Sequence, residues 1–306
     1  MYIKSKLCLS VLISLSLVAC SSSSTTTEAV KVLNGRTIGP NADLSGVNLT
    51  GADLSNANLT NADLSNATLT NVNLSNVDLL GANLGGTQLT SANLTGANLT
   101  DQDMSGLNLI GATLTGANLT GANFSASNLT GANLTAANLT DANLSRAGLS
   151  GANLTETKLT NANLAEADLI GANFSGSNLS SLNLSSANLS GANLTGANFF
   201  SANLTSANLT GANLTDGNLS NANLTSANLT GTNLTGGNLS NANLSSTELA
   251  GAQLHNTNLS YANLTKANMS GVDMRDANLT KAIVSGADLL GAKLSGATMP
   301  DGTKHP

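Results

Sequence analysis

Gly131-Ala132-Asn133-Leu134-Thr135, Ala136-Ala137-Asn138-Leu139-Thr140 and Asp141-Ala142-Asn143-Leu144-Ser145 follow one another in the middle of the chain. Each five-residue unit has one large apolar residue at its centre. Outward from here in both directions, an apolar residue occupies every number ending in 4 or 9, from Leu44 to Met299, giving 52 units without a slip. Leu fills 44 of these centres; the others are Met104, Phe124, Phe174, Phe199, Met269, Met274, Val284 and Met299. The residue two before the centre is Ala in 36 units, the residue one before is Asn in 34, and the residue one after is Ser or Thr in 41. Self-similarity of this kind outranks every other sequence signal for the fold.

A period of five fits neither the helical repeat nor the two-residue alternation of a flat strand, so neither element can bury this row of Leu continuously. A coil with corners can. If each unit forms one side of a square, the centre and the residue two before it point to the same face, as they would in a strand. The residue two after the centre then falls at a corner. Between positions 46 and 296 it is Gly 23 times and Asn nine times, the types that accept positive φ in a turn.

Units such as Gly131 to Thr135 resemble the Ala-Asp/Asn-Leu-x-x pattern of the pentapeptide-repeat family, and the likeness runs from Asn41 to Pro300. The resemblance implies an all-β fold, a right-handed quadrilateral β-helix with four units per turn. The 52 units would then make about 13 coils, a rod roughly 60 Å long at a strand spacing of about 4.8 Å.

Composition agrees with a solenoid and excludes most alternatives. Of 306 residues only 9% are charged and 2% aromatic, with no Trp, while 41% are hydrophobic. An ordinary globular chain carries about 25% charged residues. A conventional core of large side chains is therefore excluded, and so is a highly charged disordered chain. Two Cys and two His exclude a disulfide framework and a zinc cluster.

The first residues carry Lys4 and Lys6, and Leu7 to Val18 is a mostly apolar run of 12 residues, too short to span a bilayer at about 20 residues per helix. The run ends Leu17-Val18-Ala19-Cys20, which resembles the bacterial lipoprotein cleavage box. That resemblance implies a signal peptide over residues 1–19, lipid attachment at Cys20 and a membrane anchor. Ser21 follows Cys20, which implies the outer membrane if the source is Gram-negative. Residues 20–40 comprise the lipidated Cys, a Ser/Thr-rich tether and a possible cap built on Val30, Val32, Leu33 and Ile38. The β-helix is expected over 41–300, followed by a tail at 301–306.

Nothing in the pattern supplies catalysis, which requires converging titratable groups in a protected cleft. His255 and His305 lie 50 residues apart and no motif places a Ser or Cys nucleophile beside either, so both read as solvated surface residues. No catalytic, cofactor or metal site is expected. Asp43, Asp63 and Asp103 share an outward column with Asp101 and Asp141 beside it, but calcium needs six or more oxygens at about 2.3 to 2.6 Å, and a solvated acidic face is the expectation.

Three functions follow from the pattern. The first is a non-enzymatic, lipid-anchored envelope protein whose rod is a structural or protein-binding surface. Strand edges at its ends pair with another chain unless covered, which makes a homo-oligomer or an envelope protein the expected partner. The net charge of −10 over 41–255 against +1 over 256–300 suggests head-to-tail contact. The second uses the outward Asn and Thr rows as a lattice for glycan, cell wall or ice. The third is imitation of DNA, as in family members that protect DNA gyrase. Residues 41–300 carry 15 acids and 6 bases, a net −9, whereas duplex DNA of that length carries roughly 35 charges. No nucleic-acid partner is expected.

Overall fold

A computed structural model describes residues 31–33 and 35–306. Cys20 and the apolar leader lie outside the described residues. The chain enters through a hairpin of two short strands, β1 (Lys31–Leu33) and β2 (Arg36–Ile38), paired antiparallel with Lys31 opposite Ile38. Leu33 and Ile38 are buried and belong to the same apolar cluster as the repeat centres. Of the residues expected to form a cap, Leu33 and Ile38 are buried, Val32 is 43% exposed, and Val30 lies outside the described residues.

From Asn41 onward the repeat builds stacked coils. Isolated parallel bridges join residue n to residue n+20 almost throughout, from Asp43↔Asp63 to Asn278↔Thr298. One turn therefore takes 20 residues, or four units. Most units contribute the same bonds to their neighbours: Leu134 N–H donates to Asn153 C=O at 2.8 Å, Ala136 N–H to Thr155 C=O at 3.0 Å, and Asn133 N–H to Ala112 C=O at 2.9 Å. A further bond closes the corner, from Ala137 N–H to Leu134 C=O at 2.9 Å. Because successive coils lie parallel and in register, the Leu and Ala rows stack into a continuous interior. Every centre from Leu44 to Leu279 is buried, Phe124, Phe174 and Phe199 included.

The corners show coil geometry overriding local preference. All 51 positions ending in 1 or 6 between 46 and 296 have positive φ, the 23 Gly and nine Asn together with 19 others, among them Arg146, Glu156, Tyr261 and Lys266. The left-handed conformation costs about 1 to 2 kcal/mol in an ordinary L-residue, and the axial bonds on either side of each corner offset that cost. Over an Asn or Asp corner a Cβ must displace the side chain beneath it, yet Asn76 stands over Asn56 and Asn161 over Asp141 with positive φ. A Cβ at Gly121 would collide with Asp101 Oδ1, whereas one at Gly131 would meet nothing within 4 Å.

The sequence register never slips, yet the axial bonding parts in two places. At the first, five bonds are absent: Gly81 N–H to Thr100 C=O, Leu84 to Asp103, Gly86 to Ser105, Asp103 to Ala82, and Asn108 to Thr87. At the second, the same five are absent 75 residues later, at Glu156, Leu159, Asn161, Asn178 and Asn183. The bridges Asn83↔Asp103 and Lys158↔Asn178 are missing accordingly. Grooves of about 140 Å³ and about 400 Å³ open there.

Candidate functional site: the C-terminal end and the polar faces

The last coil differs from all the others. Val284, Leu289 and Leu294 pack against the core but are only partly buried, and Met299 is only partly buried as well. On one side the chain turns back: Gly302 N–H closes a turn on Met299 C=O, His305 N–H donates to Ala297 C=O at 2.8 Å, and Gly296 N–H donates to His305 C=O at 3.0 Å. Thr298 and Lys304 form an antiparallel bridge, and Lys304 Nζ reaches Gly296 C=O at 2.8 Å. The tail is therefore a short strand over one side, and Pro300 lies at its turn. Above the other three sides no described residue pairs with the N–H groups of Val284, Gly286, Leu289 or Gly291. Ile283 and Leu290 are 54% and 79% exposed beside them. Here unused backbone donors and exposed apolar side chains occur together, which suits this end to pairing with another chain. Leu290 stands where most units have Ser or Thr, and Ile283 where most units have Asn.

The outward faces use most of their polar capacity internally. Asn193 Nδ2 donates to Asn173 Oδ1 at 3.1 Å and Asn218 Nδ2 to Asn198 Oδ1 at 3.0 Å, and the same pairing recurs along all four sides. Within one coil, Asn133 Oδ1 accepts from Thr135 N–H at 3.0 Å and from Thr135 Oγ1 at 2.6 Å. The Asn and Thr rows thus brace the coils that carry them. The remaining outward apolar residues Leu80, Ile110, Ile170 and Phe200 are exposed singly, as isolated surface apolar residues normally are.

Three carboxylates of the acidic column are held down by hydrogen bonds within their own units. The Ser45 hydroxyl and then its N–H hold the Asp43 carboxyl below the usual carboxylate range, with Arg36 adding a smaller pull. Ser65 does the same for Asp63, against a slight upward push from Asp43; Ser105 does so for Asp103. Among the described residues no group of three or more His, Cys, Asp or Glu is placed to hold a metal ion. His255 is half-buried rather than freely solvated, with Nδ1 2.9 Å from Arg275 C=O and 3.8 Å from Asp276 Oδ2. Asp273 is pulled down to about 2 by hydrogen bonds from the Arg275 guanidinium, the closer at 2.7 Å. Buried side-chain polar atoms among the described residues all have partners. No helix among them is long and apolar enough to cross a membrane.

The family model described as pentapeptide repeats matches the chain in overlapping segments from residue 41 to residue 301. The pentapeptide repeat protein Rfr23 of the cyanobacterium Cyanothece is 40% identical over 30% of this chain, with a TM-score of 0.29, and the match spans 63% of its own length. HetL, a pentapeptide repeat protein involved in heterocyst differentiation regulation in Nostoc, is 33% identical over 85% of this chain and 92% of its own, with a TM-score of 0.22. QnrB1, a plasmid-mediated fluoroquinolone resistance protein, is 20% identical over 66% of this chain and 86% of its own, with a TM-score of 0.31. No curated protein matches.

Proposed function

Because the chain belongs to the pentapeptide-repeat family, whose members are generally non-enzymatic structural or binding proteins, we propose that it is a lipid-anchored envelope protein built as a right-handed quadrilateral β-helix. Residues 1–19 are its secretion signal, Cys20 carries the lipid, and the Ser/Thr-rich segment tethers the rod to the membrane, the outer membrane if the source is Gram-negative. Buried acyl methylenes contribute about 0.8 kcal/mol each, so two or more chains hold such an anchor stably. The rod then offers its C-terminal end to a protein, and the partner that suits that end is a second copy of the chain.

The observation that carries this reading is the contrast between the ends. The hairpin lays Leu33 and Ile38 against the N-terminal coil, where Leu44, Leu54 and Leu59 are 0% exposed and only Ala42, Val47 and Ala57 stay partly buried, whereas the centres of the last coil are themselves partly exposed, so the larger apolar surface for a partner lies at the C-terminal end. A two-fold axis perpendicular to the rod would bring two C-terminal ends together with their strands antiparallel, which satisfies backbone groups on both copies at once. Imitation of DNA is disfavoured by the low charge of the repeat and by the export signal. The glycan or ice lattice is weakened because the Asn amides already donate to one another.

Two measurements test the reading separately. Metabolic labelling with a fatty-acid probe is expected to mark the wild-type protein and to leave Cys20→Ser unmarked; label retained in the variant refutes the anchor. Light scattering of the lipid-free protein is expected to give a dimer that Leu290→Lys dissociates. A strict monomer at high concentration refutes the end-to-end contact.

A further inference from the structure

We propose that the two interruptions of the axial bonding are hinges, set by Leu107 and Leu182, at which the rod bends on two neighbouring faces. The inference does not depend on the anchor or on the partner at the C-terminal end.

Both interruptions carry the same sequence mark. Two residues before the centre stands a small inward side chain in nearly every unit, and among all 52 units Leu occupies that place only at 107 and 182. Both are buried, at 5% and 3% exposure. Each missing set of bonds holds the same place relative to its Leu, on the side just before it and around the corner into its own side. Leu has three more heavy atoms than Ala, and the stacked coils leave only about 4.8 Å between strands. Interiors packed to crystal-like density cannot absorb that volume without moving backbone. The corner leading into the Leu therefore lifts away from the coil beneath it.

The outer bracing is absent at the same places. Asn83 donates to Asp63 and Asn123 to Asp103, but Asp103, being a carboxylate, has no donor for Asn83. At the second place Lys158 stands beneath Asn178, with no oxygen to accept its amide, whereas Asn198 above donates normally to Asn178 at 3.1 Å. Each interruption is confined to little more than one side. Across the first, Leu89, Leu94 and Leu99 keep their bonds to the coil above at 2.7 to 2.9 Å; across the second, Leu164, Leu169 and Phe174 keep theirs at 2.7 to 3.0 Å. Three bonded sides and one parted side make a hinge that opens in one direction. The first opens on the side whose lowest centre is Leu44 and the second on the adjoining side of Leu59, so together they let the rod lean in two perpendicular directions.

Hydrogen exchange of the full chain, read by NMR or at peptide resolution by mass spectrometry, tests the proposal. Amides at Leu84, Gly86, Asp103 and Asn108, and at Leu159, Asn161, Asn178 and Asn183, are expected to exchange at least about tenfold faster than those at Phe124, Gly131 or Asn133. Leu107→Ala and Leu182→Ala are expected to bring their own set to the rate of its neighbours. In the reverse direction, Ala227→Leu in the wild-type background is expected to open a third set, at Ser201, Leu204, Ser206, Asn223 and Asn228. Protection at the two natural sets equal to that of the neighbouring coils overturns the proposal. Fast exchange that persists in a folded Leu107→Ala protein also overturns it, as does an Ala227→Leu protein with an unchanged pattern. The last variant decides the matter even if the Leu→Ala proteins fail to fold.

Discussion

The two ends of the rod are made of the same repeat and meet opposite fates. At the N-terminal end Leu44, Leu54 and Leu59 are wholly shielded, and a hairpin of two three-residue strands lays Leu33 and Ile38 among them. At the C-terminal end Val284, Leu289 and Leu294 occupy the same positions in the unit and remain partly exposed, with a tail strand over only one side. A centre is buried by the coil above it and the coil below, so its identity as Leu makes burial favourable without guaranteeing it. The contribution of a repeat thus depends on its neighbours, as expected for a quasi-one-dimensional solenoid.

The sharpest way to break this comparison is to place a charge in the interior. Leu134→Asp is expected to cost about 5 kcal/mol or more, since it removes a buried side chain and strands a carboxylate; Leu289→Asp at the partly exposed end should cost less than half as much. Urea unfolding of the two variants checks this, and equal losses would mean that the ends are equally closed. Next in size, Ile38→Ala in the hairpin is expected to lose about 2 to 4 kcal/mol, against about 0.5 kcal/mol or less for Ile283→Ala at the other end, again by urea midpoint.

A smaller effect concerns the tail. Removing residues 301–306 uncovers the fourth side, so the dimer fraction in sedimentation is expected to rise; a fall would show that the tail itself forms the contact. The smallest effect is that of pH. Asp273 near the C-terminal end has its folded pKa depressed to about 2 from 3.8. Its stabilising contribution is therefore complete above about pH 4 and is lost as pH falls from about 4 towards about 2. In an acid melting series Asp273→Asn is expected to lose this part of the pH dependence. Asp43→Asn at the N-terminal end should change the series less, because Asp43 is held chiefly by the neighbouring Ser45 and only weakly by Arg36.

The period of five, with Ala and Leu inward and a turn residue two after the centre, was enough to read the inward face and the corners, while the four-sided coil came only with the resemblance to the family. Positive φ at Arg146, Tyr261 and Lys266 was not legible from residue type, because nothing in those side chains favours it; the axial bonds on both sides of the corner impose it. The interruptions were equally hidden. Leu107 and Leu182 read as ordinary apolar residues in an apolar column, and only stacking against a coil of fixed spacing turns their volume into missing bonds. Of the candidate functional features, the unpaired edge at the C-terminal end was foreseeable from strand physics, but which sides the tail would cover was not. Cys20 was legible only as a sequence pattern.

By itself the sequence determined the unit: which residue points inward, where each side ends and how many sides there are, because hydrophobic burial and turn preference act within five residues. Only the tertiary structure decided what the units do for one another. It fixed the twenty-residue register, the shielded centres at the N-terminal end and the exposed ones at the C-terminal end, and the two places where coils part, because each depends on volume and hydrogen bonding between residues twenty apart in the chain.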